Sequence, residues 1–257
     1  NIDYNDEGFS KNKNYNNELS LQYKTKLDTL GRTLDVTAFL NTFDKTPINQ
    51  SSGLNSGNIP SYNNGIIDFN LTNYYLKYDF AIPFNKLDFT INTGGKYNSI
   101  KVNNFGQYNI NSSTNTIFDS NNYEESIDFN YNESNLAFYV EARKKIKKFN
   151  FTVGLRLEDF DVKREASTIA DKIEYRNTNL FPNISALYEI SPQVNFSSSY
   201  SRKIAQPNYN TIDPNNSSNF NQYNTSTGNL ALQPVFYDNF EVNLSALQFV
   251  QFGANYN

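Results

Sequence analysis

The apolar residues of this 257-residue chain recur at every second position, and no apolar run approaches the roughly 20 residues of a membrane helix. Period two is the signature of a strand with one greasy and one wet face, so the sequence predicts an all-β fold. The pattern is clearest over residues 180–246. Ile184, Ala186 and Tyr188 alternate with Asn183, Ser185 and Leu187, and after Ser191-Pro192 the alternation resumes with Val194, Phe196, Ser198 and Tyr200. That is a hairpin with a tight turn. Some thirty residues rich in Pro, Asn, Ser and Gly follow, and then a third run, Phe240, Val242, Leu244 and Ala246.

The same rhythm extends upstream. Leu19, Leu21 and Tyr23 precede a turn and then Leu34, Val36, Ala38 and Leu40; Tyr74, Leu76, Tyr78, Phe80 and Ile82 precede Leu87, Phe89 and Ile91; Leu136, Phe138, Val140 and Ala142 precede Phe149, Phe151, Val153, Leu155 and Leu157. Facing residues in an antiparallel pair must match apolar to apolar. This rule predicts the pairings Leu21 with Ala38, Phe80 with Phe89, Val140 with Val153, and Ala186 with Phe196. Turns are expected near 28–31, 83–86, 144–148 and 190–193, and long loops around 44–65, 98–134, 159–179 and 203–235. Residues 1–17 read as a further loop. Short and long connections alternating along the whole chain point to an antiparallel transmembrane β-barrel, with short periplasmic turns and long extracellular loops. The closing run from Phe249 to Tyr256 fits less smoothly, because almost no turn residues separate it from Ala246; either that turn is very tight or residues are missing near Leu247-Gln248.

The chain has no Cys and no His, which removes disulfides, Cys and His metal sites, and the Ser-His and Cys-His nucleophiles. A net charge of -4 argues against a nucleic-acid partner. A chain without Met is expected to be part of a longer product.

Among charged residues, Glu141, Arg143, Arg156 and Glu158 fall on the face opposite the apolar one, where a barrel lumen would let them hydrate or pair; on the lipid side each would cost ~2–4 kcal/mol at the midplane. They are the lumen-facing candidates, either ordinary solvated residues or residues that line a ligand path or grip an internal plug. The acidic group Glu158, Asp159 and Asp161 lacks any spacing that demands catalysis or a metal site, so no enzyme activity and no cofactor are expected. Lys144, Lys145, Lys147 and Lys148 form a basic turn, solvated or touching anionic headgroups. Tyr23, Tyr74, Phe80, Tyr188 and Tyr200 sit near the ends of apolar runs, as interfacial aromatic belts require.

Several segments resemble the C-terminal barrel portion of TonB-dependent outer-membrane receptors, in particular the outer-membrane β-barrel family common in Bacteroidota. They are Lys26-Leu27-Asp28-Thr29-Leu30-Gly31-Arg32-Thr33-Leu34, Tyr200-Ser201-Arg202, Pro207, Ile212-Asp213-Pro214, Gly228-Asn229-Leu230-Ala231-Leu232-Gln233-Pro234 and Asn239-Phe240-Glu241. Leu230 stands where that family usually has Pro, and Val235 where an acidic residue is common. The resemblance implies a bacterial outer-membrane transporter that takes up a nutrient, with outer-membrane lipids around it, an unknown nutrient ligand, the TonB energy-transducing system acting through a plug, and a surface lipoprotein as a further candidate partner. Residues 1–257 would supply about ten strands, under half of a barrel of ~22, with no plug domain visible. Two rivals remain: a structural β-barrel subunit that scaffolds a larger outer-membrane complex without transport, and a soluble β-sandwich adhesin.

Overall fold

The computed structural model describes residues 7–54, 60–112, 125–169, 172–215, 228–246 and 250–256. Ten strands occupy most of them: β1 (Glu7–Lys26), β2 (Thr33–Leu54), β3 (Pro60–Phe84), β4 (Phe89–Ser112), β5 (Glu125–Ile146), β6 (Phe149–Ala166), β7 (Ile173–Ser191), β8 (Val194–Ala205), β9 (Val235–Ala246) and β10 (Val250–Tyr256). One four-residue helix, α1 (Tyr209–Ile212), lies between β8 and β9. All ten strands form one antiparallel sheet in chain order, each paired with its neighbours in sequence, so β1 and β10 are its two edges.

Strands β1 to β9 carry an apolar run that starts at the short-turn end. On β6 the run is Phe149, Phe151, Val153, Leu155 and Leu157, and it stays exposed along its length. Leu21 on β1, Leu76 on β3, Val140 on β5 and Ile184 on β7 are equally bare; Leu21 is 61% exposed. No second sheet covers this face among the described residues, so the soluble sandwich, which would bury it, is not the architecture. An exposed apolar band of this kind is the lipid-facing surface of outer-membrane barrels. Aromatic side chains gather at both margins. Phe149 stacks on Tyr188 at 4.5 Å and Phe84 leans on Phe89 at 5.7 Å near the short turns, while Tyr74 meets Tyr97 at 6.2 Å and Tyr200 meets Phe240 at 4.9 Å at the other margin.

The alternation fixed which face each residue occupies, but not how far the partners slide. Leu21 faces Ala38 as expected. Phe80 faces Thr93 rather than Phe89, Val140 faces Leu155 rather than Val153, and Ala186 faces Ser198 rather than Phe196. Each slip is by two or four residues. An even slip keeps every apolar side chain on its face, so the greasy pattern cannot detect it, and turn geometry decides instead. In the second hairpin the strands continue past Pro83 to Phe84↔Phe89, closed by a 3-10 turn over Asn85–Leu87 and Asp88 at φ 45°. In the third, Ile146 faces Phe149 and Lys147 takes a positive φ of 54°. The first turn shows what its motif does: Asp28 Oδ1 accepts from the amides of Leu30 and Arg32 at 2.9 and 3.1 Å, Arg32 pairs with Asp28, and Gly31 supplies φ +93°. At the end of the sheet β9 and β10 pair from Ala246↔Val250 onward, and Leu247-Gln248 lies outside the described residues.

The expected long loops are largely strand. β2 runs to Leu54, β4 to Ser112, β5 begins at Glu125, and β6 runs to Ala166; residues 7–17, expected as loop, belong to β1. Beyond the lipid band both faces of a ribbon can be polar, so ladder hydrogen bonds continue where the hydrophobic alternation stops. The basic turn is also busier than a solvated one. Lys144 Nζ donates to the Leu87 carbonyl, Lys145 pairs with Glu189 at 3.1 Å, and Lys148 donates to the Ile190 carbonyl at 2.9 Å. These bonds tie three adjacent short turns together.

Candidate functional site

Above the lipid band the hydrophobic phase inverts. On β6 the odd positions from Phe149 to Leu157 are apolar and exposed, whereas from Phe160 to Ala166 the even positions are the buried ones and Asp159, Asp161, Lys163 and Glu165 occupy the other face. β5 inverts in the same way, with Phe129 and Tyr131 buried and Asp128 and Asn130 opposite. The inversion means that the inner face, polar inside the band, becomes apolar beyond it. Val102, Phe129, Tyr131, Val162 and Ala166 form a cluster there together with Ile212 and Leu230.

Ile212 and Leu230 come from the long β8–β9 connection, whose two described limbs, residues 206–215 and 228–234, fold inward as a strap across the sheet. Tyr209 reaches as far as β3, with its ring 6.0 Å from that of Phe69 and 6.5 Å from Tyr131. Asn208 caps α1, its Oδ1 accepting from the Thr211 amide at 3.0 Å. The two limbs are joined by backbone bonds, Gly228 N to Asp213 O and Asn229 N to Thr211 O, both 3.1 Å. A side chain at Gly228 would run into the backbone of Ile212 and Asp213, and one at Gly106 into Tyr108 and Asn215, so both glycines permit this close approach.

Two polar clasps hold the strap. Arg164, 2% exposed, donates through Nη1 to the carbonyls of Leu230 and Leu232 at 2.9 and 2.6 Å, while its Nε is buried without a partner. Burial draws its pKa down, opposed by Tyr131 and Glu133. Asp213, 3% exposed, accepts from Asn104 Nδ2 at 2.5 Å and from the Asn215 amide at 2.8 Å. Asn215 Nδ2 donates to the carbonyls of Asn104 and Ile127 at 2.7 and 3.1 Å, and Tyr108 donates to Asn215 Oδ1 at 2.8 Å. Burial pushes the Asp213 carboxyl up to about 6, against the pull of those two donors, and drives the Tyr108 phenol upward as well. Between the strap and the inner faces of β1 to β4 lies a cleft of about 350 Å³, lined by Ser10, Asn12, Phe43, Lys45, Phe69 and Tyr209, with Asp213 in its wall.

The four residues expected to face a lumen sit lower, on the same inner face within the band. Arg143 Nε contacts Glu141 Oε1 at 2.7 Å, and Asn92 also donates to Glu141. Arg156 pairs with Glu158 and lies 5.1 Å from the Phe181 ring, while Asn135 donates to Glu158 at 2.9 Å. The acidic group is split by the strand's alternation: Glu158 points inward, whereas Asp159 engages Thr178 and Arg176 on the other face. Among the described residues no group of carboxylates converges as a metal site. Sequence reasoning missed Arg164, Asn104 and the packing role of Asp213 and Asn215. The signal was present in the alternating run Phe160-Asp161-Val162-Lys163-Arg164-Glu165-Ala166, whose phase opposes that of the run before it.

A single antiparallel sheet with an exposed apolar band, short turns at one end and tall hairpins at the other defines an outer-membrane β-barrel protein. The chain belongs to the outer membrane protein β-barrel family, whose model matches residues 25–257. No protein of curated function matches it. Among solved structures it is similar to the ferric citrate transporter FecA (TM-score 0.67, 14% identity), covering 94% of this chain and 34% of that one. It is also similar to the ferric-catecholate import receptor Fiu of E. coli K12 (0.60, 11%, 95% and 40%) and to the ferric preacinetobactin receptor BauA of Acinetobacter baumannii (0.53, 11%, 96% and 37%). The chain thus spans between a third and two fifths of the length of these receptors, whose barrel architecture its ten strands share. Its place is the bacterial outer membrane.

Proposed function

We propose that residues 1–257 form a wall segment of a TonB-dependent receptor that imports a nutrient, with the rest of a larger barrel and a plug completing it. The observation that carries this reading is the inner face. Inside the lipid band it presents paired charges, Glu141 with Arg143 and Arg156 with Glu158, a surface suited to water or a docked domain rather than to lipid. Above the band the strap walls a cleft that mixes the Lys45 cation, the Asp213 carboxyl, amides and aromatic rings, a lining that suits a small polar ligand with a ring or chelate body. Paired charges below and a mixed polar and aromatic cleft above support a role in binding and passage.

The test is uptake by cells that carry the full-length gene in a background stripped of other receptors, supplied in turn with radiolabelled iron as ferric citrate, a ferric catecholate and a ferric hydroxamate. Energised uptake of one of them that disappears when TonB is deleted supports import. Uptake equal with and without TonB for every substrate, together with purification of the barrel bound to further subunits, would favour the scaffolding alternative.

A further inference from the structure

We propose that the strap is a proton-sensitive closure over the inner face: Arg164 holds one limb at any pH, and Asp213 holds the other more firmly in acid. The two clasps differ in chemistry. Arg164 keeps its charge even where burial disfavours it, and it grips backbone carbonyls that cannot titrate. Asp213 is a carboxyl removed from water with no cation paired to it among the described residues, and its partner Asn104 carries a buried Oδ1 with no hydrogen bond. An acid O–H supplies the donor which that cluster lacks and removes a charge from the buried strap.

The direction follows from linkage. With the strap docked, burial holds the Asp213 carboxyl at about 6; with the strap lifted, the group returns to water and its ordinary 3.8. The docked state therefore binds the proton more tightly, docking is favoured below the docked value, and the advantage is lost as pH rises through about 6. These two values give about a tenfold change in the docked-to-lifted ratio between about pH 5 and pH 7.5. Among the described residues, the other ionisable groups on this side are Tyr108 on β4, Tyr131 and Glu133 on β5, Arg164 on β6, Tyr175 on β7, Lys45 on β2 and Tyr209 on α1. Burial drives Tyr108 and Tyr131 upward, so both stay neutral across this range.

Residues 1–257 contain no Cys, so once any cysteine elsewhere in the full-length protein is replaced by Ser, a single introduced thiol can report the strap. Val102, fully covered in the cluster beneath it, becomes V102C, and Thr168, exposed in the β6–β7 turn, becomes T168C in a separate copy of the full-length protein. The rate of modification of V102C by a membrane-impermeant maleimide, divided by that of T168C at the same pH, removes the thiol's own titration. The ratio is expected to fall about tenfold from pH 7.5 to pH 5. D213N, which donates as the neutral acid would, should give a low ratio at both pH values, and R164M a ratio raised by the same factor at both. A ratio that does not fall in acid, or a fall that survives in D213N, overturns the proton clasp; a ratio unmoved by R164M overturns the arginine clasp. No ligand enters the measurement, so its outcome is separate from that of the uptake test.

Discussion

Replacing Val153 by Arg should destabilise the folded barrel by about 2–4 kcal/mol, the cost of a lipid-facing arginine at the bilayer midplane. The outward run on β6 spans eight residue steps from Phe149 to Leu157, about 26 Å of strand at roughly 3.3 Å per step, which at a tilt of ~35–45° stands about 20 Å tall, most of the ~25 Å lipid band. Val153 stands in the middle, 53% exposed, facing Ala142 on β5 and Ile184 on β7. That exposure is to hydrocarbon if the band is a membrane surface and to water if it is not. In water an exposed Val→Arg change stays within about 0.5 kcal/mol. The control is Asn103→Arg on β4, which points to the same outer side but above the band, between Asn70 and Asn130. Urea unfolding of the full-length protein in phospholipid vesicles, followed by far-ultraviolet circular dichroism, should shift the equilibrium roughly 30-fold or more for V153R and little for N103R. Equal costs for the two variants would refute the assignment of the band.

Other consequences are open to measurement. Gly228→Ala places a methyl group against the backbone of Ile212 and Asp213, so the strap should lift and its limbs become sensitive to added protease, with about 1–3 kcal/mol lost from docking. Phe129→Ala removes a fully buried ring from the cluster under the strap; a cost of about 3–5 kcal/mol should appear as faster amide hydrogen exchange on the outer parts of β5 and β6, leaving the lipid band unchanged. Glu158→Ala leaves the Asn135 amide without its acceptor and Arg156 without its carboxylate, a loss of about 1–3 kcal/mol in unfolding experiments, and on the import reading it should also alter substrate passage.

How much of the fold was legible depended on what each segment touches. Phe149 to Leu157 and Tyr74 to Ile82 announced themselves because lipid on one side and a polar interior on the other enforce strict alternation. Residues 44–54 and 98–112 did not, because water on the outer side relaxes the pattern while the ladder bonds persist. The candidates Glu141, Arg143, Arg156 and Glu158 were proposed from parity alone; in the structure they lie on one face in two close pairs. The strap's clasps escaped notice. Arg164 looked like one charge in a charged loop, and Asp213 only marked family membership.

Local pattern was enough to read the chain as a sheet with a lipid-facing side, to name the residues on that side and to place the tight turns at one end. Within the lipid band, period two encodes the face of each residue locally, and no distant partner is needed to read it. The sliding of one strand on the next and the inward path of the β8–β9 strap came from the folded molecule. An even slip leaves the faces unchanged, so register is set by turn geometry such as that of Asp88 and Lys147. The strap is held by contacts between residues far apart in the chain, Asp213 with Asn104 and Arg164 with Leu230, and no local pattern records such distances.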